Sequence, residues 1–205
     1  MNEITINKEK VAEAYQYASA ETKEALKAIF GNEIDFITKP SIDYYTTIKT
    51  YEDACEALGE EPLPYEPNPI MTLYGVEYEV PTHIIALMKL ETISRALWGR
   101  TWKPEPDAKG SKRFYYPYFA LYTKSEIDNM NEEERGGLLS ALAIYGAYAG
   151  FGYLSTSYRS SYLYAYYGFR LCQETEEKAE YFGKQFIELW AEYLRFGFEV
   201  KGRLK

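Results

Sequence analysis

Apolar residues in the first part of the chain recur at helical spacing. Over residues 8–31 they form two groups: Val11, Ala12, Tyr15 and Ala18, then Ala25, Leu26, Ile29 and Phe30. Two helices are predicted, the second capped by Ser19 and ended by Gly31, with its stripe packed against the rest of the fold. The stretch Ile42-Asp43-Tyr44-Tyr45-Thr46-Thr47-Ile48 is rich in β-formers and predicts a strand. Thr50 followed by Asp53 reads as a cap opening a two-turn helix over 51–58, stopped at Gly59. Ala54 and Leu58 then share one face, and Glu52 and Glu56 another. Pro62, Pro64, Pro67 and Pro69 remove backbone donors, so an extended connection follows. This divides a single α+β domain into a helical portion, 1–61, a proline-rich connection, 62–70, and a main core, 71–205.

The second part alternates between the two periods. Residues 82–98, between Pro81 and Gly99, have the pattern of a strong helix, with Leu90, Ile93 and Leu97 on its packing face. A polar loop over 103–112 leads into a strand over 113–122, bent at Pro117. Residues 125–134 form an acidic, partly helical segment, and 138–149 fit strand or helix. Aromatic alternation from Phe151 to Cys172 predicts antiparallel strands. A long helix from Thr175 or Glu176 would pack through Ala179, Phe182, Phe186, Ile187, Trp190, Tyr193 and Leu194. Glu180-Lys184 and Lys184-Glu188 stand at pairing distance on its surface. The tail from Lys201 to Lys205 is expected to fray. The expected fold is therefore α+β, with a helical N-terminal portion and aromatic-rich antiparallel strands packed by helices, including a long C-terminal one.

Composition narrows the chemistry. The chain has 205 residues and a net charge of -8, with one histidine and two cysteines. No run of apolar residues is long enough to span a bilayer, so membrane insertion is not expected. The N-terminus has no basic region followed by an apolar run, and Cys55 and Cys172 form no close pair. A reduced, cytoplasmic setting follows as an expectation. The acidic balance disfavours nucleic-acid binding. His83 opens a helix without a local Ser/Asp or Cys/Asp partner, and no zinc spacing, phosphate loop or dinucleotide fingerprint occurs. No metal and no cofactor is implied. Glu77 and Glu79 share a strand face, but no carboxylate pair with acid–base geometry can be named, and catalytic residues stay unassigned.

The unusual feature is 22 tyrosines, of which twelve fall between Arg113 and Phe169. A tyrosine ring packs while its hydroxyl reaches water or a ligand, so such a cluster builds either a sheet core or a contact surface. The candidate interaction residues are Trp98, Trp102, Tyr115, Tyr118, Tyr158, Arg159, Tyr162, Tyr166 and Arg170. Burial of the rings would assign them to the core, and exposure to recognition. The expected function is a noncatalytic structural or protein-interaction module, with a phage or host protein or a second copy of the chain as partner. The alternative is an enzyme acting on carbohydrates or small molecules through an acidic site.

Three stretches carry a resemblance: Tyr51-Glu52-Asp53-Ala54-Cys55-Glu56-Ala57-Leu58-Gly59; Trp102-Lys103-Pro104 with Arg113-Phe114-Tyr115-Tyr116-Pro117-Tyr118-Phe119; and Gly168-Phe169-Arg170-Leu171-Cys172 with Ala179-Glu180-Tyr181-Phe182-Gly183-Lys184-Gln185-Phe186. They resemble uncharacterised proteins encoded by phages and prophages of gut Bacteroidetes. That resemblance implies a mobile-element origin and a place in the host cytoplasm or in a virion, and brings no site residues with it. Ser160 to Leu171 is also similar to the terminal strands of C-type-lectin-like phage variable proteins, which implies ligand display. The helix expected after it departs from that pattern.

Overall fold

A computed structural model of the chain describes residues 11, 15, 18–31, 39–64, 70–99, 109, 111–143, 146, 148–160, 169–195 and 197–204. The elements run α1 (Ala20–Phe30), α2 (Tyr51–Leu58), β1 (Ile70–Leu73), β2 (Val76–Glu79), α3 (Thr82–Trp98), β3 (Arg113–Tyr122), α4 (Lys124–Asp128), α5 (Glu132–Gly136), β4 (Leu139–Ala143), β5 (Gly150–Ser160), α6 (Glu176–Gln185), α7 (Ile187–Leu194) and β6 (Phe198–Arg203). The fold is α+β. One antiparallel sheet has the order β3-β5-β4-β6, and β1 and β2 form a separate hairpin. Most of the first predicted helix, the proline segment beyond Pro64, most of the 103–112 loop and the strand residues 161–168 lie outside the described residues.

The helices form where caps and apolar spacing agree. The Thr50 hydroxyl accepts from the Asp53 N–H at 3.0 Å, and the Asp53 carboxylate accepts from the Thr50 N–H at 2.9 Å. This reciprocal cap satisfies two donors that a helix start otherwise leaves open, a contribution of about 1 kcal/mol. α2 packs on α3 through Ala54 and Cys55, against Leu90, Ile93 and Leu97. Leu90, Ile93, Leu97, Phe182 and Ile187 are fully buried. Each large apolar side chain removed from water contributes about 1.5–3 kcal/mol, far more than any exposed ion pair here.

α6 and α7 cover one face of the sheet. Phe119 on β3 packs on Phe151 of β5 and Trp190 of α7, with ring centres 5.3 and 5.2 Å apart. Gly183 lets α6 come down onto β3: a Cβ there would stand 2.6 Å from the Pro117 Cβ and 2.8 Å from the Tyr153 ring. Pro117 is tolerated inside β3 because of where its nitrogen points. Tyr115 exchanges both backbone hydrogen bonds with Gln173, at 2.9 and 2.7 Å, on the side away from β5. Two residues later Pro117 faces the same outer side, so its missing N–H removes no bond to β5.

Four expectations need correction. Residues 42–48 do not form a strand. They make an isolated Ser41–Tyr44 bridge and a 3-10 turn over Tyr45–Thr47. The Thr47 hydroxyl accepts from the Ser41 N–H at 2.9 Å and donates to the Tyr44 carbonyl at 2.7 Å. These short-range bonds compete with sheet pairing and win. Among the described residues the stripe on α1 is not buried: Ala25 and Ile29 are exposed and Leu26 and Phe30 only partly buried, although Ser19 caps the helix and Gly31 ends it as predicted. The C-terminal helical region packs on the sheet as expected, as two consecutive helices that meet at Phe186, which leaves the helical conformation and buries its ring beside Tyr181 and Phe182. The Trp190 indole N–H donates to the Phe182 carbonyl at 3.2 Å and satisfies an acceptor next to the break. Glu180 pairs with Lys184 at 2.6 Å, whereas Glu188 approaches Arg203 at 3.8 Å instead. Finally, the tail does not fray over 201–203: β6 pairs with β4, and Leu204 N–H donates to the Leu138 carbonyl at 2.9 Å. The buried Phe198 ring anchors that strand.

Among the described residues, no helix is long and apolar enough to cross a membrane.

Candidate interaction surface

The β3–β5 ladder brings part of the predicted set together. Over three successive rungs, Arg113 stands opposite Ser160, Phe114 opposite Arg159, and Tyr115 opposite Tyr158. Alternation puts Arg113, Tyr115 and Tyr158 on one face of the ribbon and Arg159 on the other. The Arg113 guanidinium lies 4.3 Å from the centre of the Tyr158 ring, and the Tyr115 and Tyr158 ring centres are 6.0 Å apart. Tyr158 remains 47% exposed. Arg159 donates to the Ser157 hydroxyl at 3.3 Å and to the Tyr158 carbonyl at 2.8 Å, which turns its side chain along the strand. Lys112, just before β3, sits 5.4 Å from the Phe114 ring centre. None of Lys112, Arg113 or Arg159 has a carboxylate within ion-pair distance among the described residues. In a chain of net charge -8 this is a local cationic end with one exposed ring, Tyr158, beside the partly buried Tyr115.

Other predicted residues fall elsewhere. Trp98 is buried with Phe114, Tyr116 and Cys172, and its indole N–H donates to the Cys172 carbonyl. Tyr118 is 38% exposed but points to the opposite face of β3 from Tyr115. Arg170 lines a separate cleft of about 410 Å³ with Leu63, Leu87, Met88 and Glu91. Trp102, Tyr162 and Tyr166 lie outside the described residues. Lys112 was not singled out by the sequence, since a lone lysine before a strand carries no signal until the fold sets it over the Phe114 ring.

Two clefts bear on the acidic-enzyme alternative. In the one that Arg170 lines, Arg95 holds Glu60 with two bonds, at 2.6 and 2.8 Å, and Glu91 at 3.1 Å. Hydrogen bonding to Arg95 holds the Glu60 carboxyl below the usual range. That is the wrong direction for a proton donor. The larger cleft, about 510 Å³, contains Glu133, Glu134, Lys184 and Arg203. There Glu134 accepts from the Asn131 N–H at 2.9 Å, Lys184 pairs with Glu180 at 2.6 Å, and Arg203 donates to the Gly137 carbonyl at 3.3 Å. At least these three groups are engaged in local structure. Among the described residues, no group of three or more histidine, cysteine or acidic side chains is arranged to hold a metal ion. Burial pushes the Cys172 thiol up to about 12, so it stays protonated and unreactive near neutrality.

A second surface exposed among the described residues is the hairpin β1–β2. It turns through Tyr74 and Gly75, both at positive φ, 53° and 77°. Met71 stands opposite Tyr78 and Leu73 opposite Val76, so these four share one face. All four are 51–54% exposed, and Tyr74 at the tip is 96% exposed. Thr72, Glu77 and Glu79 share the other face with Ile70.

The chain matches no protein-family model, no curated protein and no solved structure.

Proposed function

We propose that this protein is a noncatalytic interaction module that captures an acidic protein segment at the cationic end of the β3–β5 ribbon. The observation that carries this reading is Arg113 stacked on a half-exposed Tyr158, with Arg159 on the other face of the same end, Lys112 just before β3, and no carboxylate paired to any of the three among the described residues. An exposed aromatic with a stacked guanidinium offers a rigid apolar surface and charge-assisted donors together. Aromatic and arginine side chains are the residue types that dominate binding energy at protein interfaces. Three cations on a strongly acidic chain suit a short acidic peptide better than a nucleic-acid backbone, which calls for a broader basic surface. A phage or prophage setting is supported by the sequence resemblance alone.

Fluorescence anisotropy with a labelled glutamate- and tyrosine-containing peptide, beside a single-stranded oligonucleotide of equal charge, tests the proposal. The peptide should bind with an affinity that falls as salt rises. A triple variant Arg113→Ala, Tyr158→Ala, Arg159→Ala should lose at least tenfold. Binding of the oligonucleotide alone, or of neither probe at low salt, overturns it.

A further inference from the structure

β4 pairs with β5 only through Leu139–Phe151 and Ser140–Gly150, while β5 runs on beside β3 to Ser160. The cleft of about 510 Å³ opens beside β5 where that pairing stops, and its size falls in the range of about 300–1,000 Å³ usual for small-molecule sites. All of its lining residues are described, and they come from β3, α5, β5, α6, β6 and the segments next to them. Glycine shapes one wall: a Cβ at Gly152 would overlap the Leu138 side chain and stand 3.2 Å from the Tyr122 ring. The register shift between Tyr118 and Phe119 leaves Leu154 as an extra residue on β5, 56% exposed at the cleft.

The lining keeps spare hydrogen-bonding capacity of both kinds. The Tyr122 hydroxyl reaches the Tyr153 carbonyl only at 3.5 Å, beyond the usual O–H···O limit of about 3.0 Å. Burial, with the Glu126 and Glu134 carboxylates nearby, raises its pKa, so it stays a donor at neutral pH. The Glu133 carboxylate has no ion-pair partner among the described residues. Glu134 gives one oxygen to the Asn131 N–H and keeps the other. Lys184 and Arg203 hold more N–H groups than the Glu180 carboxylate and the Gly137 carbonyl take up.

We infer that this cleft binds a short neutral saccharide. Glu133 and Glu134 against Lys184 and Arg203 leave the lining without net charge. An anion would meet the two glutamates, and a cation the lysine and arginine. The carboxylate of a zwitterion would compete with Glu180, 2.6 Å from Lys184, and with Glu188, 3.8 Å from Arg203. Sugar hydroxyls displace neither: they accept from Tyr122, Lys184 and Arg203 and donate to Glu133 and Glu134. The C–H face of a sugar ring then has Met130 and Leu154 to pack on. The cleft lies toward the end of β3 opposite Arg113, so the inference stands or falls independently of the acidic-peptide reading.

Calorimetry and saturation-transfer NMR on the full chain, with maltose, cellobiose, lactose and N,N′-diacetylchitobiose as probes, test it. At least one should bind, and because the probe is uncharged its affinity should not fall as salt rises. Tyr122→Phe and Glu133→Gln should each weaken binding by about tenfold or more, with an unchanged circular dichroism spectrum. Glycyl-leucine and inorganic phosphate are the zwitterionic and anionic controls. Binding of none of the four sugars, of a control alone, or binding that survives both substitutions overturns the inference.

Discussion

Arg113 stacks on Tyr158 across the β3–β5 ladder, its guanidinium 4.3 Å from the ring centre, and both side chains face water. An exposed cation–π pair contributes only about 0.5–1 kcal/mol to folding. Tyr158→Ala should therefore move the urea midpoint little while abolishing most acidic-peptide binding. If its stability loss exceeded its binding loss, the pair would belong to the scaffold instead.

Gly183→Ala should be costly. The added methyl meets the Pro117 Cβ at 2.6 Å and the Tyr153 ring at 2.8 Å, so α6 has to lift from β3. Overpacking of this kind costs about 1–3 kcal/mol. Chemical denaturation measures it directly.

Alkaline pH should destabilise the protein. Burial pushes the Tyr51 hydroxyl up to about 12 and raises Tyr181 as well. Both exceed the value of about 10 expected in the unfolded chain. A pKa raised by folding gives stability that is complete below the unfolded value and lost as pH climbs through the folded one. The urea midpoint should thus fall between about pH 10 and 12. Tyr181 also donates to the Ile48 carbonyl at 2.9 Å, so Tyr181→Phe should cost about 1 kcal/mol at neutral pH and shrink the alkaline loss.

Both thiols should resist a chromogenic disulfide reagent in the native state. Cys55 and Cys172 are free and buried, and the Cys172 thiol stays protonated. In denaturant both should react. Rapid native reaction of either would mean that its helix or loop opens readily.

The parts legible in the sequence were those fixed by short-range chemistry. Thr50 with Asp53 announced α2, and Leu90, Ile93 and Leu97 announced the buried face of α3, because a cap and a 3.6-residue period are local properties. The aromatic strand 113–122 was legible because its run of Tyr and Phe residues has high strand propensity, also a local property. Ser41 and Thr47 deceived, since β-propensity does not reveal that a hydroxyl will bind a nearby backbone group. The hairpin left a usable signal: Tyr74-Gly75 sits between Ile-Met-Thr-Leu and Val-Glu-Tyr-Glu, with apolar residues alternating toward the turn. The cationic end left none. Arg113 and Tyr158 are far apart in the chain, and only the β3–β5 register brings them, with Arg159, to one end of the ribbon.

The pairing of Tyr115 with Gln173, followed by Pro117, has a consequence for how the protein behaves when crowded. Open strand margins recruit further strands and seed fibres, and this margin offers incoming chains a satisfied peptide and then an imide with no proton to give. Backbone chemistry at Tyr115 and Pro117 disfavours sheet growth on that side, and among the described strands β6 forms the other margin.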